Sequence, residues 1–159
     1  MKIRKAAPGD HSDLVRLRKV MLEYMTGSQL SPRELQVMED FFQGWDYDEP
    51  RCLVAEEDGK VMVCVAASFY RAFPGPKNSS GLHAVLHNFA VYREYRGRGV
   101  GRALFAHVLE ECRDRGVGRI SLYATDMGRP IYESFGFSHE VIVWPEMRLY
   151  HKDLVELDL

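Results

Sequence analysis

The stretch YRGRGVG, residues 95–101, places glycines at three alternate positions directly before an apolar helical pattern. Glycine permits left-handed backbone and close approach of another molecule, and a new helix leaves its first amides without acceptors. The helix dipole and nearby arginines add positive charge, so such a turn between strand and helix suits an anion. The chain is therefore expected to place a strand, an anion-binding turn and a helix in succession.

Two familiar phosphate-binding patterns do not fit this turn. The Walker pattern requires a glycine–lysine pair, and none follows at the required spacing. The dinucleotide pattern GxGxxG would need glycine where Arg102 or Leu104 stands. The pattern present is Arg-x-x-Gly-x-Gly at Arg96, Gly99 and Gly101, which favours a pyrophosphate. A glycine-rich turn without a ligand is the alternative.

Length and composition indicate one globular domain over residues 1–159. The net charge of −2 argues against nucleic-acid binding. The first ten residues lack a signal peptide's apolar core, and no run approaches the ~18 apolar residues of a membrane span. A cytoplasmic protein without membrane contact is expected. The three cysteines form no CxxC pair, which favours inert buried thiols.

Local patterns predict a mixed α/β sheet with a crossover helix. Apolar spacing and turn residues, including a hairpin signal at Asp58-Gly59, give the order of the elements. The predicted elements are a strand at Ile3–Ala6, helices starting at Asp10 and at Ser31-Pro32, strands at Arg51–Glu56, Val61–Phe69 and Leu82–Tyr92, a helix at Gly101–Arg115, a strand at Arg119–Thr125, a helix at Arg129–Phe135, and late strands at Val141–Val143 and Met147–Tyr150.

Two segments together resemble the GNAT superfamily of N-acetyltransferases. VYREYRGRGVGRALF is similar to their acetyl-CoA-binding segment, and RISLYATDMGRPIYESFGF is similar to their fifth strand and tyrosine-bearing helix. With the preceding strand they run from Leu82 to Phe137 and look most like bacterial stand-alone members of unassigned substrate. The resemblance implies a GNAT-like acyl-CoA N-acyltransferase fold. Such a fold has a central, mostly antiparallel sheet with splayed fourth and fifth strands, flanked by helices.

The resemblance also implies acetyl-CoA as cosubstrate. In the family, the strand before the turn pairs with the pantetheine arm, the turn amides bind the pyrophosphate, and a tyrosine lies near the sulfur. Thr125 stands where many members carry an asparagine, and its hydroxyl could still donate a hydrogen bond. The implied cofactor-binding residues are Phe89, Ala90, Val91, Arg96, Gly97, Arg98, Gly99, Val100, Gly101, Arg102, Thr125 and Tyr132.

Tyr132 is also a catalytic candidate, because a phenol of pKa ~10 can protonate a departing thiolate or hydrogen-bond to it. Many family members use a glutamate as the base where this chain has Val85. His83 and His87 share that strand face, and either imidazole could accept the proton of the amine. Four strand residues span ~13 Å, too far for both histidines to bind one ion with bonds of ~2 Å, so no metal is expected. Asn88 points to the opposite face unless the strand bulges.

The segment EDFFQGWDYDEP, residues 39–50, mixes five acidic and four aromatic side chains. In the family this region walls the acceptor site, and such a wall suits a cationic amine. A solvated acidic turn beside core aromatics is the alternative. The missing asparagine of the protein N-terminal subgroup slightly favours a small-molecule amine as acceptor.

The resemblance implies an enzyme that transfers acetyl to a primary amine by direct attack within a ternary complex. A degenerate fold that binds CoA as a sensor or scaffold is the alternative, because the usual carboxylate is missing at Val85. A nucleotide-binding regulator is disfavoured by the failed phosphate-binding patterns. A homodimer through the late strands is an expectation from the family alone.

Overall fold

The structure is a computed structural model that describes residues 1–139 and 147–150. The chain divides into two compact units, Met1–Thr125 and Asp126–Leu159. The single domain expected from the sequence stays a prediction.

The first unit contains one five-stranded sheet and the three longer helices among the described residues. Its strands follow one another in space as they do in sequence, from β1 to β5. Its elements are β1 at Lys2–Lys5, α1 at His11–Thr26, α2 at Pro32–Gly44, β2 at Arg51–Glu57, β3 at Lys60–Arg71, β4 at Leu82–Val91, α3 at Val100–Asp114 and β5 at Arg119–Leu122. The second unit contains α4 at Arg129–Glu133.

The first four strands pair antiparallel, and β5 joins β4 in parallel. The β2–β3 connection uses Asp58 and Gly59, whose φ values of 50° and 74° are those that a tight hairpin requires. α3 supplies the crossover between the parallel strands. The mixed, mostly antiparallel sheet flanked by helices confirms the predicted fold class.

Apolar stripes hold the helices on the sheet. Leu14 and Leu17 of α1 are fully buried in a core with Cys64 and other residues of the strands. Leu104 and Phe105 of α3 are also fully buried. Burial of each such side chain contributes about 1.5–3 kcal/mol relative to exposure. All three cysteines are buried and free, as the sequence predicts.

Several boundaries differ from the predictions. β5 ends at Leu122 rather than Thr125, and α4 ends at Glu133. The strand predicted at Met147–Tyr150 is wrong, because these residues have irregular backbone and all four are exposed. An apolar alternation makes a strand only where a neighbouring strand meets its backbone. The strand predicted at Val141–Val143 lies outside the described residues. Among described helices, none is long and apolar enough to cross a membrane.

Candidate active site

The glycine turn before α3 is an open cradle. Gly97 and Gly99 have φ values of 75° and 76°, in the left-handed region where other residues are strained. Apart from the adjoining residues, no described atom lies within 4 Å of the position a side-chain carbon would take at either glycine. The positive φ values, rather than crowding, therefore favour glycine here, and no described residue fills the space above the backbone.

The amides of this turn are unused within the described part of the chain. No described residue accepts a hydrogen bond from the amides of Gly97–Gly101, and the first helical bond runs from Ala103 N to Gly99 O at 3.0 Å. Arg96 and Arg98 flank the turn and are exposed. Arg96 Nε donates to Val91 O at 3.2 Å, and the Arg98 guanidinium lies 5.4 Å from the Tyr95 ring centroid. Unused amides, a helix start and guanidinium groups together can bind an anion.

Gly101 has a different role. A side-chain carbon there would lie 3.1 Å from both Phe89 Cζ and Val91 Cγ2 on β4. That spacing is tighter than ordinary van der Waals contact, so a larger residue would force the Phe89 and Val91 side chains to shift, and glycine lets α3 pack closely on the strand without this shift. The residue thereby holds the helix start, and its free amides, against the end of β4.

β4 carries a bulge and parts from β5. Cys64 pairs with Ala90 while Ala66 pairs with His87, so β4 has one extra residue over this stretch. The β4–β5 pairing begins at His83–Arg119 and ends at Leu86–Leu122. Within the described residues, β5 therefore does not pair with the β4 edge that leads into the cradle. That edge comprises the predicted pantetheine-binding residues Phe89, Ala90 and Val91.

The bulge turns Asn88 inward. Its φ is 52°, it is 8% exposed, and its Nδ2 donates to Cys64 Sγ at 3.5 Å. The side chain thus shares a face with Cys64 rather than pointing to the opposite one, as a regular strand would require. No described group donates to its buried Oδ1. A buried amide oxygen without a donor is costly, so this atom suits a donor brought by a ligand.

His87 lies next to the bulge, where its Nε2 is 3.0 Å from Ser68 Oγ. The side chain is exposed, yet surrounding protein lowers its pKa through desolvation, and the positive charge of Arg18 lowers it further. The negative charge of Glu49 acts to raise this pKa, but its effect is smaller. The neutral imidazole therefore dominates at neutral pH, as a proton acceptor requires. His83, four residues earlier, stacks on Tyr70 with ring centroids 5.0 Å apart.

Most of the acidic side chains in the segment 39–50 already have partners. Their contacts are Glu39 with His11 at 2.5 Å, Asp40 with Gln36 Nε2 at 2.8 Å, Asp46 with the Asp48 amide at 3.0 Å, and Asp48 with the Lys5 ammonium. Glu49 accepts a hydrogen bond from the Phe69 amide at 3.3 Å, and its negative charge acts to raise the pKa of His87. The aromatic residues stack on one another, with Trp45 and Tyr47 centroids 4.6 Å apart.

Arg18 is a neighbour of His87 that the sequence analysis missed. It lies four residues after Leu14 on α1, within the stripe that faces the sheet, and it is half-buried. Burial lowers its pKa. The signal available in the sequence was an arginine inside an otherwise apolar helical stripe.

Tyr132 belongs to the second unit. It is the one buried residue of α4, its ring centroid lies 6.2 Å from that of Phe137, and burial raises its pKa. The hydroxyl therefore keeps its proton at neutral pH. Thr125 closes the first unit and is half-buried. Within the first unit, His87, the edge 89–91 and the turn 96–102 follow one another along the second half of β4 and the segment after it. His83 lies nearer the start of β4.

Known proteins are similar to this chain in sequence and in fold. The family model described as "Acetyltransferase (GNAT) family" matches residues 15–137. The L-amino acid N-acyltransferase MnaT of Escherichia coli K12 is 34% identical over 64 residues, which cover 40% of this chain and only 34% of that relative's length.

Solved structures agree over nearly the whole chain. A predicted acetyltransferase from Clostridium acetobutylicum, crystallised with acetyl-CoA, has a TM-score of 0.76 and 25% identity, covering 94% of this chain and 98% of that one. A GCN5-related N-acetyltransferase from Ralstonia eutropha JMP134 has a TM-score of 0.72 and 25% identity, covering 92% and 97%. The matched segment includes both the cradle and the tyrosine-bearing helix, and the chain belongs to the GNAT family of acetyltransferases.

Proposed function

We propose that this chain transfers an acetyl group from acetyl-CoA to the primary amine of a small molecule, by direct attack in a ternary complex formed by one domain over 1–159. The observation that carries the proposal is the run of amides at Gly97–Gly101 for which no described residue supplies an acceptor. This run lies a few residues after a bulged strand edge that the described β5 does not pair with.

The residues present fit CoA. The pyrophosphate would be held by the cradle amides and by Arg96, Arg98 and Arg102, and the pantetheine amides by the backbone of Phe89–Val91. Thr125 is a further contact implied by the family. The buried Asn88 Oδ1 beside the bulge offers an acceptor to a ligand donor. The acetyl-CoA complex of the Clostridium acetobutylicum relative supports this choice of cosubstrate.

When bound, acetyl-CoA supplies a thioester whose carbonyl carbon forms an N–C bond as the C–S bond breaks. The acceptor enters as an ammonium ion and must lose a proton before its nitrogen can attack. His87 takes that proton at Nδ1, the ring nitrogen that Ser68 does not contact, and passes it to solvent, since its lowered pKa keeps the ring neutral. Ser68 Oγ orients the imidazole. His83 is the second candidate base.

Tyr132 is proposed as the donor of a hydrogen bond or a proton to the departing thiolate. The proposal rests on the family resemblance of its segment and on the raised pKa that keeps the phenol protonated. The nitrogen loses its second proton as the amide forms, which balances the proton gained by sulfur. The overall reaction therefore releases one proton for each ammonium consumed.

A CoA-binding sensor without turnover is the second candidate. Val85, half-buried opposite Ser68, stands where many relatives place a catalytic carboxylate. Turnover that disappears in Tyr132→Phe or His87→Ala variants, while acetyl-CoA binding persists, would exclude it.

The test combines thermal-shift titration with acetyl-CoA, CoA and ATP with thiol release against a panel of amines. Stabilisation by acetyl-CoA and CoA, but not by ATP, is expected. A Gly99→Glu variant should bind CoA at least about tenfold more weakly than Gly99→Gln, because both variants carry the same backbone strain and only one adds a negative charge. Equal CoA affinity in the two variants would contradict the cradle.

A further inference from the structure

Arg18 is a half-buried cation that has no counter-ion among the described residues. Within residues 1–139 and 147–150, no carboxylate lies within 4 Å of its guanidinium, whereas the neighbouring Lys19 pairs with Glu23 at 2.8 Å. A guanidinium partly removed from water and left unpaired is unfavourable. A bound anion would offset that cost.

The fold carries this guanidinium toward the bulge of β4. Tyr92, directly after β4, donates from its hydroxyl to Asp13 Oδ1 at 2.8 Å, which fixes the start of α1 to the end of the strand. Arg18 lies five residues further along the helix, a rise of ~7.5 Å. Arg18 is close enough to His87 for its charge to lower the pKa of that imidazole, and Cys64, which pairs with Ala90 across the sheet, is among the groups near Arg18.

A carboxylate of opposite charge lies near the same imidazole. Glu49 Oε1 accepts a hydrogen bond from the Phe69 amide at 3.3 Å. Among the described residues, no lysine, arginine or histidine lies within ion-pair distance of it, so Arg18 and Glu49 do not neutralise each other. Within the described part of the chain, the surroundings of His87 thus present one cation and one carboxylate, neither of which has an ion-pair partner.

We propose that the acceptor is an amino acid, with its carboxylate bound by the Arg18 guanidinium and its ammonium group held by Glu49 beside His87. The proposal rests on the acetyl transfer proposed above and names its substrate class. A guanidinium fork matches a carboxylate with two parallel hydrogen bonds, which an ammonium side chain cannot reproduce. Glu49 attracts the amine in its charged form, and His87 then removes the proton.

The activity test uses pairs of acceptors that differ only in the carboxylate. L-Methionine is compared with 3-(methylthio)propylamine, and L-phenylalanine with 2-phenylethylamine. Arg18→Gln should lower kcat/KM for the amino acids by about 10- to 100-fold, mainly through KM, and leave the plain amines nearly unchanged. Arg18→Lys should recover only part of the loss. Arg16→Gln, at an exposed position of the same helix, should change neither class.

A second readout needs no turnover. N-Acetyl-L-methionine should raise the pKa of His87, followed by NMR of the imidazole, because its carboxylate neutralises the cation that lowers this pKa. Arg18→Gln should abolish the response, and circular dichroism would check that the variant folds.

The outcomes separate the two proposals. Plain amines that react as well as amino acids, with Arg18→Gln affecting both alike, would overturn the amino-acid assignment and leave acetyl transfer standing. No stabilisation by acetyl-CoA and no turnover would overturn acetyl transfer. In that event, an unchanged His87 titration with N-acetyl-L-methionine would also overturn the assignment of Arg18.

Discussion

Two half-buried arginines, Arg4 on β1 and Arg18 on α1, have opposite surroundings. Arg4 donates to both carboxylate oxygens of Asp10, at 2.6 and 2.8 Å, and its Nε donates to Glu56 Oε2 at 2.8 Å. These hydrogen bonds raise the pKa of Arg4. Arg18 has no such partner in the described structure, and burial lowers its pKa.

The difference separates a charge used for stability from a charge available to a ligand. Asp10, which is 6% exposed, also accepts from the Ala7 amide at 2.8 Å and so ties the end of β1 to the start of α1. Each charged group of that network has an oppositely charged partner within the chain. Among the described residues, the Arg18 guanidinium has no such partner, and its charge instead lowers the pKa of the proposed base, His87.

The largest expected effect is on stability at the paired site. Arg4→Ala leaves the buried Asp10 carboxylate with only the Ala7 amide, so the free energy of unfolding should fall by about 3 kcal/mol. Urea denaturation at pH 7 measures it. Arg16→Ala is the matched control on an exposed surface and should change stability by less than ~0.5 kcal/mol. A loss in Arg4→Ala no larger than in this control would mean that the network contributes little.

The paired site should also respond to acid. Burial acts most strongly on Asp10 and would raise its pKa, but hydrogen bonds from Arg4 and Ala7 outweigh it and lower the pKa. The hydrogen bond from Arg4 lowers the pKa of Glu56 as well. Both contributions are complete above the unfolded-state pKa values of about 3.9 and 4.3, and are lost as pH falls through the lower native values.

The stability difference between the wild type and Arg4→Ala should therefore shrink as pH falls below about 4. Urea denaturation across this pH range measures the difference. A gap that stays constant would show that Arg4 stabilises the fold by packing rather than by charge.

The unpaired site should tolerate loss of its charge. Arg18→Leu keeps the apolar stripe of α1 and removes an unmet cation, so the unfolding free energy should change by less than about 1 kcal/mol in either direction. Thermal and urea unfolding would both report it. A loss as large as that of Arg4→Ala would show that Arg18 has a structural role and would weaken its assignment to a ligand.

Local features were predictable from the sequence because short-range rules determine them. The hairpin at Asp58-Gly59, the cap at Ser31 and the glycine turn before α3 follow from what those residue types do to the backbone. The motifs also identified the family. The shortened β5 was not predictable, because a strand ends where its neighbour leaves it, and Leu122 itself carries no stop signal.

Whether each charged side chain has an oppositely charged partner was the least predictable feature of the site. The composition of the segment 39–50 suggested one acidic wall, but the fold engages most of its carboxylates and leaves Glu49 near His87. Arg4 and Arg18 look alike in the sequence. Only the three-dimensional neighbours show that one meets two carboxylates while the other, among described residues, meets none.

The smallest expected effect is also the most specific, because it reads the unpaired charges directly at His87. Arg18→Gln removes a cation that lowers the pKa of His87, so the pKa should rise. Glu49→Gln removes a carboxylate that raises this pKa, so the pKa should fall. NMR titration of the imidazole measures both shifts in the protein without ligands, and Arg16→Gln serves as the control.

If His87 is the base, the acidic limb of the pH profile of kcat/KM should move together with the pKa of the imidazole. It should move to higher pH in Arg18→Gln and to lower pH in Glu49→Gln. Shifts in the titration without matching shifts in the rate profile would assign the proton transfer to another group, with His83 the next to test.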